Sequence, residues 1–444
     1  MVMKGLKRYR GIAAAACLLL LPSVANAQAM KLSANQAVDI ALENNYSLKV
    51  AESRVDQADA RYLQTRKAYL PTVTLSETFV GTNDPAAVFS YKLRQRIVSP
   101  ADLGNQYLIN NPEAISNFQV GIEVMQPLVN IDARKGRSAA AAARKSAEYQ
   151  LDRAGDTVGF EVRKAYYGLV LATSNLKAVD RSIAAMQSHD REAGRAYAKG
   201  LITKSDKLST GVRLAELREQ RMMIQDEIRT ASDALCFLLR LDGDTVIEPV
   251  DDLLSGGPGV VAGAEGVAEG RADLKALEAA TEAAGYQYQM AKASSLPRLN
   301  AFGQTNWNDN SFPGLDEHNW TVGMTLSWTV FDGYGAIGKA QEAKSAELES
   351  RYRYEEGRDR SRYEVRQASR SLSTARSRIA IARQALEEAK VSLDYIGERY
   401  RSGMAMTFEL LGRESAYTYA QMRLNKARYD YIIAGHELQY ASGL

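Results

Sequence analysis

The chain has 444 residues, with 56 Lys+Arg against 53 Asp+Glu, 45% hydrophobic and 25% charged residues. These are the proportions of a folded chain and exclude a disordered one. The formal charge of +3 comes from the first residues, so a basic surface for nucleic acid is excluded as well.

The first stretch reads as a secretory leader. Lys4, Lys7, Arg8 and Arg10 precede the apolar run GIAAAACLLLL, and Ala25-Asn26-Ala27 supplies a small-residue cleavage site, so residues 1–27 are expected to be removed. The apolar run is short and holds Pro22, which argues against a membrane anchor. Removal leaves 52 basic against 53 acidic residues and one cysteine, Cys236. A single thiol forms no internal disulfide and reads as a buried small hydrophobe. Cys17 sits too early in the leader to indicate lipidation.

From 32 to 45 the sequence LSANQAVDIALENN places Ser33 and Gln36 at capping-box spacing and predicts a short helix. A second helix, 46–70, ends at Pro71. A strand follows over 72–82, then a long connection, then a strand over 118–128 in which Phe118, Val120, Ile122 and Val124 alternate with Gln119, Gly121 and Glu123. About 65 residues of helical pattern (133–198) lead to a turn at Gly200, and a shorter helix returns over 205–240. At about 1.5 Å per residue the long helix spans roughly 100 Å, a length suited to coiled-coil packing. The Gly-rich stretch 255–267 reads as a linker, since it lacks the Gly-Lys-Ser/Thr of a phosphate loop.

The same order then recurs. A helix over 268–296 ends at Pro297, and strands cover 298–307 and 320–331. A long helix runs over 336–401, Gly403 turns the chain, and a helix returns over 407–441. Leu48 and Leu274 lie 226 positions apart, as do Pro71 and Pro297, whereas Gly121 and Gly323 lie 202 apart and Gly200 and Gly403 lie 203 apart. The halves 28–254 and 268–444 therefore read as a duplicated unit with one shortened connection. In the fourth strand Trp320, Val322, Met324, Leu326, Trp328 and Val330 alternate with small or polar residues, which predicts one apolar and one polar face.

Such faces suit a lipid boundary or, alternatively, the core of a soluble sandwich. For the lipid reading, four strands cannot close a barrel, and an open sheet edge cannot face lipid. Several chains must therefore pool their strands. Two chains would supply eight strands and three would supply twelve, and the residues do not choose between them. Roughly 100 Å helices leaving the same ring would form a helical tube.

The order of helix, strand pair, long helix, Gly turn and helix, performed twice after a leader, resembles the TolC-type outer-membrane efflux protein family. So do LSANQAVDIALENN, the Leu-Pro at both helix-to-strand junctions and the two Tyr-x-x-Gly turns, and the likeness covers nearly all of residues 31–442. The resemblance implies a mainly α fold with a membrane β-barrel: a homotrimer whose twelve-stranded barrel in outer-membrane lipid continues as a twelve-helix periplasmic tunnel. It also implies a passive exit duct that docks onto a periplasmic adaptor and an inner-membrane pump or ABC transporter, for small-molecule efflux or type I secretion.

At each turn an acid follows the glycine by six positions, Asp206 and Glu409, and a tyrosine precedes it by three, Tyr197 and Tyr400. Converging turns would present carboxylate rings able to admit or close a pore. The resemblance places these residues at a periplasmic gate. The alternative is that both acids sit near helix starts, where negative charge is favoured anyway. Where that family carries an arginine two residues after the second glycine, this chain has Ala405, which leaves no cation there for an inter-chain salt bridge. The turns Gly200, Leu201, Ile202, Thr203 and Gly403, Met404, Ala405, Met406 are candidate adaptor contacts, because exposed apolar clusters mark partners.

No enzyme, cofactor or metal chemistry stands out. His189, His318 and His436 lack ligand spacing, and no serine sits in a G-x-S-x-G elbow. A periplasmic coiled-coil structural or adaptor protein is the rival from another class. It would account for the helices but not for the strand pairs.

Overall fold

The computed structural model describes residues 30–243, 245–254 and 270–443. The expected leader, 1–27, and the expected linker, 255–267, lie outside the described residues.

Strand β1 (Met30–Leu32) pairs in parallel with β4 (Ile247–Pro249), a pairing the sequence did not reveal. Helix α1 (Ala34–Asn44) starts with the expected box: Gln36 N–H donates to Ser33 Oγ at 3.3 Å and Ser33 N–H donates to Gln36 Oε1 at 2.9 Å. Helix α2 (Tyr46–Gln64) gives way to a 3-10 turn, Thr65–Ala68, so it ends short of the expected 70. Strand β2 (Thr72–Thr82) has the expected bounds. The connection after it is not plain loop. It carries three short helices, α3 (Pro85–Arg94), α4 (Pro100–Gly104) and α5 (Gln106–Asn110). Strand β3 (Ile115–Val129) leads directly to α6 (Ile131–Ala198), which returns as α7 (Lys204–Leu239). Then come α8 (Ala272–Ala293), β5 (Arg298–Asp309), β6 (Glu317–Ser327), α9 (Gly335–Arg401) and α10 (Thr407–Ser442).

At 68 and 67 residues, α6 and α9 extend roughly 100 Å each. Near the turns the helices lie side by side in the order α7, α6, α10, α9. Nearer the sheet, α2 and α8 take the places of α7 and α10 against α6 and α9. The main core sits at the level of β1 and β4, where Val38, Val162, Tyr166, Leu169, Leu235, Leu239 and Ile247 pack together. Tyr166 Oη donates to Leu32 O at 2.8 Å and accepts Asp251 N–H at 3.2 Å, and burial pushes its pKa up. Cys236 is buried as expected, its thiol donating to Thr245 O at 3.3 Å.

The four long strands form one antiparallel sheet in the order β2-β3-β5-β6. The fourth strand is displaced from its expected span, running 317–327 and not 320–331. It stops where the Trp328 indole N–H donates to Ser295 O at 3.1 Å, beyond the end of α8. The chain then turns through Gly333 (φ +66°) and Tyr334 (φ +69°) into α9. Among the described residues no helix is long and apolar enough to cross a membrane.

Candidate functional site

The sheet register decides which side chains share a face, because directly paired residues in an antiparallel sheet point the same way. Val73, Val124, Gly303 and Val322 form one row across all four strands. Leu75, Ile122, Thr305 and Trp320 form the next. Met324 pairs with Ala301 and Leu326 with Leu299, extending the same face toward the helices. Phe118 and Val120 lie on it as well, opposite Phe79 and Glu77. Every residue of the two apolar alternations that falls within β3 and β6 therefore stands on one face, although β5 lies between those strands; Trp328 and Val330 fall beyond the end of β6. On the edge strands the face is bare: Leu75 is 71% and Trp320 67% exposed. On β3, Phe118 and Ile122 are half-buried, with the Phe79 ring 4.7 Å from Phe118. Trp328, although exposed, lies outside the strand and continues the face only beyond its end.

Glu77 breaks the β2 alternation, and the register shows why this is tolerated. Its row runs Glu77, Val120, Trp307, His318, and so is a polar and aromatic row near the end of the apolar face remote from the long helices, with only the Phe79–Phe118 row beyond it. Leu326 to His318 is eight residues, about 26 Å along a strand and less once tilted, close to the height of an aromatic-bounded lipid band.

The opposite face is polar. Gln119 Nε2 donates to Asn306 Oδ1 at 3.1 Å and Asn117 Nδ2 to Asn308 Oδ1 at 3.2 Å. Gln95, just past α3, covers that pair and donates to Asn117 Oδ1 at 2.8 Å. Arg96 reaches Glu317 at 3.0 Å. The connection between β2 and β3 thus folds over the polar side of the sheet. Sequence reading missed this group, because nothing local to Gln95 points to Asn117, or from Asn117 to an asparagine 191 positions further on.

The two helical turns are built alike. Gly200 (φ +70°) donates to Tyr197 O at 2.9 Å while Leu201 N–H reaches Ala196 O at 2.9 Å. Gly403 (φ +73°) and Met404 do the same with Tyr400 O, at 3.0 Å, and Arg399 O, at 2.8 Å. These are Schellman caps, which need a residue in the left-handed region and so favour glycine. Tyr197 and Tyr400 thus supply backbone carbonyls to the caps. Asp206 Oδ2 accepts from Thr203 N–H at 3.2 Å and Thr203 Oγ1 at 2.7 Å, and Glu409 Oε2 accepts from Met406 N–H at 2.8 Å. Both acids therefore occupy the third position of a new helix, where they satisfy orphan donors and meet the positive end of the dipole. Leu201 is 73% exposed, and Met404 and Met406 are also exposed, while Ile202 and Ala405 are partly covered.

The turns stand at the same level. His189, 11 residues before Gly200, lies 3.7 Å from the carboxylate of Glu414, 11 residues after Gly403. The three histidines are far apart in role: His318 contacts Thr305 Oγ1 at 2.6 Å, and His436 bonds Gln439 at 3.0 Å with its ring stacked on Tyr167.

The sequence pattern described as outer membrane efflux protein matches residues 37–239 and 265–444. Among similar proteins, the alkaline protease secretion protein AprF of Pseudomonas aeruginosa is 23% identical over 64% of this chain and 60% of its own length. The outer membrane efflux protein BepC of Brucella suis is 22% identical over 38% of each chain. The chain thus spans less than two thirds of either relative. The outer membrane protein VceC of Vibrio cholerae shares the fold, with a TM-score of 0.79 at 19% identity over 92% of this chain and 96% of that one. The chain belongs to the outer membrane efflux protein family, and its place is the outer membrane, extending into the periplasm.

Proposed function

We propose that this protein is the outer-membrane exit duct of a tripartite efflux or type I secretion system, and that it works as a homotrimer. One observation carries the reading. The four-stranded sheet has an exposed apolar face, a polar face, and two edge strands, β2 and β6, each paired on one side only. Lipid admits no open sheet edge, so the edges must be paired by further copies. Three copies give a twelve-stranded barrel with Phe118, Val120, Ile122, Val124, Trp320, Val322, Met324, Leu326 and Trp328 toward lipid and the asparagine face toward the lumen. The four long helices of each copy then supply a twelve-helix tunnel. We read 28–254 and 268–444 as two copies of one unit joined by 255–267. A solitary periplasmic coiled coil leaves the two-faced sheet without a purpose.

The duct is passive, and energy comes from an inner-membrane pump or ABC transporter reached through a periplasmic adaptor. The exposed turns 200–203 and 403–406 suit that adaptor, since bare Leu201, Met404 and Met406 gain from apolar cover. Asp206, Glu409, Tyr197 and Tyr400 mark the tunnel mouth and form its gate. AprF is named for the secretion of a protease and BepC for efflux, so polypeptides and small molecules are the two cargo classes to test.

In outer-membrane extracts a trimer should persist in cold detergent and fall to monomer on boiling. Recovery of the protein as a soluble periplasmic monomer would overturn the duct. At the mouth, Asp206→Asn keeps an acceptor for Thr203 but removes the charge. It should weaken cation preference in single-channel recordings at a stability cost of no more than about 1 kcal/mol, the share of the helix dipole. Unchanged selectivity would leave Asp206 as a helix cap alone.

A further inference from the structure

Helices α7 and α9 form the two margins of the four-helix layer, and both carry a second apolar stripe on the side away from their partners. On α7, Leu208, Val212 and Met222 are more than half exposed, and Phe237 is 80% exposed. On α9, Ile381, Val391 and Tyr395 are more than half exposed. Both stripes have coiled-coil spacing. From Leu208 to Asp233 steps of four and three residues pass through 212, 215, 219, 222, 226 and 229. From Tyr395 back to Arg370 the same steps pass through 391, 388, 384, 381, 377 and 374.

The two stripes also match in height. The contact between His189 and Glu414 sets both turns level, and Thr210 bonds Asp190 at 2.6 Å, each 10 residues from Gly200. Distance along a helix from its turn glycine is therefore a common ruler. Leu208 and Tyr395 each lie 8 residues from their glycine, Val212 and Val391 each 12, and Met222 and Ile381 each 22. Higher up the pairs become charged. Asp233 and Arg370 each lie 33 residues away, and Phe237 and Arg366 each 37. Three apolar pairs, one acid–base pair and one guanidinium–aromatic pair thus stand level, while the positions between them (Ala215 and Glu388, Glu219 and Gln384, Asp226 and Ser377, Arg229 and Thr374) bring together no like charges. Between 365 and 386 helix α9 carries five arginines and no acid, while the stripe of α7 carries three acids, Glu219, Asp226 and Asp233, against one base, Arg229.

We infer that α9 of one copy seats antiparallel on α7 of the next, with Val212 against Val391 and Asp233 against Arg370. The inference rests on the ring assembly proposed above. Rotation about the tunnel axis preserves height, so residues level with one another on opposite margins meet between copies. Within one chain they cannot meet, because α6 and α10 lie between them.

The test is made in the full-length protein in its membrane. Cysteines at Val212→Cys and Val391→Cys should give covalent oligomers on oxidation. Val212→Cys with Ile381→Cys is offset by ten residues, about 15 Å, beyond disulfide reach, and should remain monomeric on a reducing-agent-free gel. Asp233→Arg and Arg370→Asp should each lower the melting temperature of the oligomer, and the double exchange should regain most of the loss. Absence of 212–391 links, or equal links from both pairs, in a protein that still runs as a heat-modifiable oligomer would overturn this seam and leave the ring standing. A wild-type protein that is monomeric in mild detergent would overturn the ring and the seam together.

Discussion

The seam inside the first hairpin and the seam between the two hairpins share helix α6 but differ in chemistry. Against α7, α6 buries Val179, Ile183 and Met186 on Leu214, Leu217 and Ile224. Against α10 it places polar residues seven apart: Asn175 bonded to Asn425 at 3.1 Å, Ser182 to Thr418 at 2.7 Å, and His189 beside Glu414. An apolar seam is strong and tolerant of sliding, whereas buried hydrogen bonds add little net stability but penalise every wrong register. The hairpins are therefore welded internally and indexed to each other by polar pairs.

That contrast can be broken in four places, each read by thermal or denaturant unfolding of the detergent-solubilised protein. The largest effect is expected where an inter-element joint is fully charged. Arg271 is 4% exposed and ties Asp273 (2.6 Å), Glu364 (2.8 Å) and Ala441 O (3.2 Å) together at the junction of α8, α9 and α10. Its carboxylate partners raise its pKa above the ordinary arginine value despite burial, so it stays charged. Arg271→Ala should cost about 3–5 kcal/mol, because it removes a buried cation that α8, α9 and α10 share and leaves the half-buried Asp273 and Glu364 each short of a partner. A loss below about 1 kcal/mol would show that the joint is wet. Next, Leu217→Ala in the apolar seam should cost about 2–5 kcal/mol through the cavity it leaves.

Asn425→Ala should cost less, about 1–3 kcal/mol, by leaving Asn175 unpaired. Replacing both with leucine should restore stability and yet broaden the spectra of nearby labels, as alternative registers become populated. Sharp spectra in that double variant would remove the indexing role. The smallest effect is in pH. Burial, the first cause, and the Arg163 charge hold the pKa of His436 below its ordinary value, although its bond to Gln439 opposes them. As pH falls through about 6.5 the unfolded chain takes up a proton that the folded chain does not, so stability is lost on the acid side. Between pH 7 and 5 the loss should be the smallest of the four, and His436→Gln should abolish it.

Local pattern suffices for some of these features. The bounds of β2, the box at Ser33 and Gln36, the turns at Gly200 and Gly403 and the long spans of α6 and α9 were legible in the chain, because each depends on residues within a turn or two of one another. Trp328 was misplaced within the strand, since the carbonyl that holds it belongs to Ser295, 33 positions away. The acids at 206 and 409 were read either as gate or as helix start. The hydrogen bonds show them as caps, a role compatible with a place at the mouth.

By itself, the sequence determined the alternation of β3 and β6, the coiled-coil length of the helices and the repetition of their order, because periodicity is a property of consecutive residues. Only the tertiary structure decided that both apolar rows lie on one face, that Glu77 joins Trp307 and His318 near its end, that Gln95 folds over the polar side, and that polar pairs index one hairpin to the other. Each of these depends on register between segments far apart in the chain, and a shift of one residue would have sent the same side chains to the opposite face.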